Sequence, residues 1–217
     1  MDNITDKSFK YGLEKLDSTS NEFNLVKNFF VSTKESEDDS YDYLHQGTSF
    51  QIHKVNERSS KQPVEEKSSN LMLFHGTTQK GAAGILKEGF KNSKKGWFGK
   101  GVYMTDCSST AVDYSIMSKK SHDSFSPVFV NEVLESQKLQ TFEFDVSKGM
   151  KNHNTPLKNP FNKHVQKSSR QPTEDDFRKD GKGRKYRNIE HDHISADDEF
   201  VAEENVTIPR YLITFNE

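Results

Sequence analysis

Leu71-Met72-Leu73-Phe74-His75-Gly76-Thr77-Thr78 is the stretch on which the fold turns. Leu71 to Phe74 is a continuous apolar run of strand length, and it ends at His75-Gly76. The pattern then changes to helical spacing. Ala82, Ile85 and Leu86 fall on one face of a helix predicted from Thr78 to Glu88, and Gly89 stands where a helix C-cap belongs. A strand thus feeds a helix across a histidine and a glycine.

Upstream, Ser49 to Val55 alternates like a half-buried strand. Thr19-Ser20-Asn21-Glu22 reads as a capping box, with Phe23, Val26 and Phe30 at helical spacing behind it. Residues 1–18 are polar and read as a flexible lead-in. Residues 33–42 are an acidic turn, and 56–69 a charged, serine-rich surface loop. Downstream, 91–97 is a short basic loop and Gly101 to Met104 a strand. Asp106 to Ser108 offer N-caps for a helix reaching Met117. Val128–Val133, Thr141–Val146, Phe200–Ala202 and Tyr211–Phe215 read as further strands. Residues 147–195 form a long polar, basic insert. Strands outnumber helices and the helices cluster early, which predicts an α+β fold.

Of the 217 residues, 31% are hydrophobic and 29% charged, so the core is concentrated and much of the chain solvated. The net charge of −2 gives no global field to recruit nucleic acid. Cys107 is the only cysteine, so no internal disulfide forms, and an intracellular compartment, nuclear or cytoplasmic, is expected. The N-terminus lacks the regions of a signal peptide. No apolar run approaches the roughly 18 residues that span a bilayer, so no membrane partner is expected.

Three segments carry the chemistry. In Leu73-Phe74-His75-Gly76-Thr77, a glycine lets the backbone approach a flat ligand, and its N–H and C=O could clamp a carboxamide. The imidazole could bond a ribose hydroxyl, although a strand-end histidine over an ordinary turn has the same look. In Trp97-Phe98-Gly99-Lys100-Gly101-Val102-Tyr103, the glycines are not a phosphate loop, because no GxxxxGK[ST] is present and a strand follows. Tyr103 and, on the next helix, Tyr114 offer flat faces for a nucleotide, or else pack in the core. In Asp198-Glu199-Phe200-Val201, Glu199 heads a strand. It could stabilise positive charge at an anomeric carbon and orient a nucleophile, or be one more acid in an acidic loop. Together the segments suit gripping a dinucleotide and breaking its glycosidic bond. His191-Asp192-His193 has no partner set at zinc spacing and reads as a polar loop. Cys107 has no base beside it.

In order, these segments resemble the catalytic domain of the poly(ADP-ribose) polymerase family, a group of diphtheria-toxin-like ADP-ribosyltransferases. The resemblance lies in His75-Gly76-Thr77, Gly84-Ile85-Leu86 to Gly89, Phe98 to Tyr103, Ser108-Ser109, Tyr114, Asn131-Glu132-Val133, Glu199-Phe200 and Tyr211 to Phe215, with Phe50 to Glu57 like the family's opening strand. It covers roughly 48–146 and 196–217. It implies an ADP-ribosyltransferase fold, with split, antiparallel-rich β-sheets and flanking helices, formed by one domain over 19–217.

It further implies that NAD⁺ is the co-substrate, with no metal, and that nicotinamide leaves through an oxocarbenium-like state. Glu199, His75 and Tyr103 are then the catalytic set. His75, Gly76, Thr77, Gly101, Tyr103, Ser109 and Tyr114 hold NAD⁺, with Tyr114 stacked on nicotinamide. The family places a serine three residues before that tyrosine. Here the position is Ala111, which leaves Ser109 or Thr110 to supply the hydrogen bond. ADP-ribose would pass to a protein acceptor, the chain itself included, with elongation to poly(ADP-ribose) left open. Two other readings stand beside this one. They are a catalytically weak binder of NAD or ADP-ribose, and a nucleic-acid-binding module using the basic residues 178–187, among them Lys182, Arg184, Lys185 and Arg187.

Overall fold

The computed structural model describes residues 10–33, 50–57, 71–118, 124–134, 138–144, 155–157, 159–166, 177–179, 185–187 and 199–215. In chain order the elements are β1 (Tyr11–Lys15), α1 (Asn21–Ser32), β2 (Phe50–Glu57), β3 (Leu71–Gly76), α2 (Gln79–Glu88), β4 (Val102–Thr105) and α3 (Ser108–Met117). There follow β5 (Ser126–Val133), β6 (Gln140–Phe144), β7 (Phe161–Gln166), β8 (Phe177–Lys179), β9 (Lys185–Arg187), β10 (Glu199–Ala202) and β11 (Thr207–Phe215). Nine strands form one sheet in the order β1-β2-β11-β5-β3-β4-β10-β7-β6, and β8 and β9 form a separate pair. Neighbours in the large sheet are antiparallel except β6 and β7, which run parallel.

Successive residues of the central strands serve opposite faces. Leu73, Phe129 and Leu212 join one apolar cluster with Ala82, Ile85 and Leu86 of α2. Phe74, Val128, Val130 and Ile213 join the other with Phe23, Val26 and Phe30 of α1 and Val112 of α3. The sheet is therefore the middle layer, with α2 on one side and α1 and α3 on the other. All eight residues of β5 are buried, because the strand is central and covered on both faces.

In place of the expected split sheets there is one continuous nine-stranded sheet with a narrow junction. Strands β3 and β4 share a single registered pair, Phe74↔Thr105, so two ladders meet at one point and then part. Hydrogen bonding is continuous across the sheet, yet the junction is only that one pair deep.

Two further expectations are corrected. Residues 1–18 hold an edge strand, β1, paired with β2 from Tyr11↔Glu57 to Lys15↔His53. Only Tyr11 among its residues is fully buried, so the apolar signal was too short to read. The insert at 147–195 contributes β7 to the main sheet, between β10 and β6. Phe161 is buried there, but so are the polar Asn162 and His164, so its sequence looks solvated while these three side chains are buried.

Helix boundaries follow local chemistry. Thr78 caps α2 by accepting from the Gly81 N–H at 2.9 Å. Gly89 closes that helix at φ 87°, a conformation that favours glycine. At α1 the cap is Ser20, which accepts from Phe23 N–H, so the Thr19–Glu22 capping box does not form as such. Glu22 instead accepts from Lys54 Nζ at 2.9 Å and Tyr211 Oη at 3.0 Å, tying α1 to the sheet. The cap of α3 falls within the expected Asp106 to Ser108. Cys107 occupies that position and makes no side-chain cap bond.

Candidate active site

The site begins with the alternation of β3. Thr77 N–H donates to Pro127 O at 3.2 Å, which makes the odd-numbered residues of β3 the ones that hydrogen-bond toward β5. In an antiparallel ladder the intervening residues direct their backbone groups the other way. Gly76 N–H and C=O therefore face the side of β4, just past the point where β4 departs. A donor and an acceptor held side by side at this gap match a primary carboxamide.

His75 sits in the same gap. Its Nδ1 lies 2.8 Å from the Tyr103 carbonyl oxygen. A carbonyl only accepts, so Nδ1 carries the proton and Nε2 is the bare, accepting nitrogen. Burial lowers the imidazole pKa, and the bond to Tyr103 only partly offsets this, which keeps the ring neutral. Extending the Phe74↔Thr105 register would set Tyr103 opposite Gly76. The imidazole thus takes the carbonyl that would have continued the ladder. Phe90 meets the ring edge-on at 5.3 Å.

Tyr103 is fixed by the loop before it. Its hydroxyl donates to Gly99 O at 2.8 Å and accepts from Phe98 N–H at 3.0 Å. Gly96 lies so close that a Cβ there would stand 2.0 Å from that hydroxyl oxygen, and Gly99 takes φ 110°. Burial pushes the Tyr103 phenol up to about 12, eased by the Phe98 N–H and reinforced by the Glu199 carboxylate. The hydroxyl proton is committed to Gly99, so what Tyr103 offers a ligand is its ring.

Sheet register locates Glu199. It opens β10, and two residues on Val201 pairs with Tyr103. Residues two apart share a face, so Glu199 projects on the side of the Tyr103 ring. Glu199 itself lies between Thr105 of β4 and His164 of β7. Register thus puts the Tyr103 phenol and the Glu199 carboxylate on one face of the sheet, and the His75 imidazole is joined to them through the Tyr103 carbonyl.

Helix α3 closes the gap from the side. A Cβ on Gly76 would stand 1.7 Å from the Ala111 carbonyl oxygen, so only glycine lets the helix dock there. Ser115 Oγ donates to Thr77 O at 3.2 Å, and the half-buried Tyr114 immediately precedes it. Both backbone groups of Thr77 are thus used by Pro127 and Ser115.

Two expected ligand contacts are absorbed by the fold. Ser109 is 1% exposed and its hydroxyl meets Cys107 Sγ at 3.0 Å, so it lies inside rather than at the gap. Gly101 bonds Ser93 through both its N–H and its C=O, and a Cβ there would stand 2.5 Å from Val201 Cγ1. It is a packing glycine that lets β10 approach.

His164 was not anticipated. Its ring lies between Phe98, with centroids 3.7 Å apart, and Phe142 at 5.5 Å. Its sequence carried little signal, because the strand buries the polar Asn162 and His164 as well as Phe161. Lys182, Arg184 and His191-Asp192-His193 lie outside the described residues, as does the middle of the 178–187 cluster, 180–184. Among the described residues no group of three His, Cys, Asp or Glu could hold a metal, and no helix is long and apolar enough to cross a membrane.

No curated protein matches the chain. A family model does, over residues 20–217, which takes in α1 and every element of the gap between β3 and β4. PARP domains use NAD⁺ as substrate, which suits the carboxamide-matching backbone of Gly76 and the accepting nitrogen of His75. The chain belongs to the poly(ADP-ribose) polymerase catalytic-domain family.

Proposed function

We propose that this domain transfers ADP-ribose from NAD⁺ to a nucleophilic side chain of a protein acceptor, itself included, and releases nicotinamide. Gly76 holds the carboxamide through its N–H and C=O. His75 accepts a ribose hydroxyl at Nε2. Tyr114 and Tyr103 present ring faces to the nicotinamide. Glu199 stabilises the positive charge that grows at the anomeric carbon and takes the proton of the incoming nucleophile. The bond from that carbon to nicotinamide breaks, with its electron pair leaving on nicotinamide, and the bond to the acceptor forms. The observation that carries this reading is the placement of Glu199 on the Tyr103 face, beside the gap that His75 holds open.

The test is Glu199→Gln. Losing a charge-stabilising group at a developing cation costs about 10²–10³ in turnover by analogy with oxyanion-hole donors. Covalent incorporation of labelled NAD⁺ should fall by that factor, while calorimetric NAD⁺ binding changes little. Wild-type incorporation by this variant would sink the assignment. Ala111 favours a second reading, a binder that retains NAD⁺ reversibly, and wild-type protein that binds label without fixing it would select that reading. Mass spectrometry of the automodified chain reports the acceptor residue and the number of units added.

A further inference from the structure

We propose that Phe98, His164 and Phe142 form a three-ring clasp that locks the Tyr103 loop onto the catalytic strand, making His164 a positioning residue for NAD⁺. The proposal rests on the functional reading above.

The three rings come from three distant parts of the chain. Phe98 and His164 lie nearly parallel, at 8° and 3.7 Å between centroids. Phe142 covers His164 at 21° and 5.5 Å. Register puts Thr105, Glu199, His164 and Phe142 in one row across β4, β10, β7 and β6, on one face of the sheet. The Glu203 N–H donates to Pro160 O at 2.9 Å, and this parity makes Glu199 and His164 a hydrogen-bonded pair. His164 is thus held by backbone beside the carboxylate-bearing residue.

The other end of the clasp reaches Tyr103. Phe98 donates its N–H to the Tyr103 hydroxyl, which in turn donates to Gly99 O. The ring of His164 therefore sets the position of a residue whose backbone holds the tyrosine. The loop is braced behind by the insert, since Lys100 N–H donates to Thr155 O at 2.8 Å. What the sequence presents as a polar insert supplies the brace, Thr155, and the central ring of the clasp, His164.

His164 is 9% exposed, and among the described residues its Nε2 has no hydrogen-bond partner. An orphaned buried nitrogen is costly, so Nε2 is not what holds the ring in place among the described residues. A flat ring filling a slot between two phenyl groups is the part it performs.

The experiment compares His164→Ala, His164→Phe, Phe98→Ala and the double alanine variant. His164→Ala should weaken NAD⁺ about tenfold in KM and in equilibrium Kd, and speed amide hydrogen exchange across residues 96–103. His164→Phe refills the slot and should return both readouts to within about twofold of wild type. The double alanine variant should be no worse than either single one, because one clasp is broken only once. General unfolding would instead lower kcat through lost active protein and leave KM unchanged. An unchanged KM and exchange rate in His164→Ala, additive losses, or no rescue by phenylalanine would each overturn the clasp. The exchange measurement needs no turnover or ligand. Wild-type protein that transfers nothing while residues 96–103 still loosen would therefore overturn the proposed function and leave the clasp standing.

Discussion

Two glycine-to-alanine changes should move stability in opposite directions. At Gly76 an added Cβ would stand 1.7 Å from the Ala111 carbonyl oxygen and 3.0 Å from the Ser115 nitrogen, both backbone atoms of α3. Ordinary contact needs about 3.4 Å, so the helix must retreat by about 1.7 Å. That shift breaks the 3.2 Å bond from Ser115 to Thr77 O and unseats Ala111 and Val112 from the core. Overpacking of this kind costs about 1–3 kcal/mol, and a backbone neighbour places Gly76 at the upper end. At this chain length each kcal/mol lowers Tm by about 2–4 °C, so a fall of about 6–12 °C is expected. NAD⁺ binding should go with it, because Tyr114 rides on the displaced helix. At Gly84, in the middle of α2, an added Cβ meets nothing within 4 Å. There alanine removes conformational freedom from the unfolded chain and adds about 0.4–1 kcal/mol of stability, with NAD⁺ binding unchanged. Scanning calorimetry and NAD⁺ titration of the two variants decide the matter. Gly76→Ala with wild-type Tm and affinity would refute the close docking of α3 on β3.

Acid should unfold the protein through its neutral histidines. Burial lowers the pKa of His53, of His75 and, to about 4, of His164. Below 6.5 the unfolded chain takes protons that these folded rings refuse, so stability is full above 6.5 and falls as pH drops through the window below it. For His164 alone, the interval from 6.5 to about 4 corresponds to on the order of 3 kcal/mol. Urea denaturation of His164→Phe at pH 7.5 and 5 should show a shallower pH dependence than wild type, and identical slopes would contradict the burial of this ring. Tyr103→Phe strips the partner from Phe98 N–H and from Gly99 O, which should cost about 1–3 kcal/mol and weaken NAD⁺. A melting curve that does not move would mean those two bonds contribute nothing.

Much of the site was legible because its signals are local. A strand that ends at His75-Gly76 and a helix that starts after Thr78 need only near neighbours, and both stand where the sequence put them. The same holds for the strands bearing Tyr103 and Glu199. Strand β1 escaped notice because one buried residue, Tyr11, does not make a period, and β7 because Asn162 and His164 are polar residues buried in it.

What the sequence determined by itself was the order of elements and the residue types they deliver: histidine, glycine, two tyrosines and a glutamate. Those follow from propensities and turn chemistry acting over a few residues. Tertiary structure alone decided that Ser109 and Gly101 serve packing, that the Tyr103 hydroxyl is committed to its own loop, and that His164 lies beside Glu199. The physical reason is that cross-strand register and helix docking join residues tens of positions apart. No local preference encodes which face of a neighbouring strand a side chain will meet.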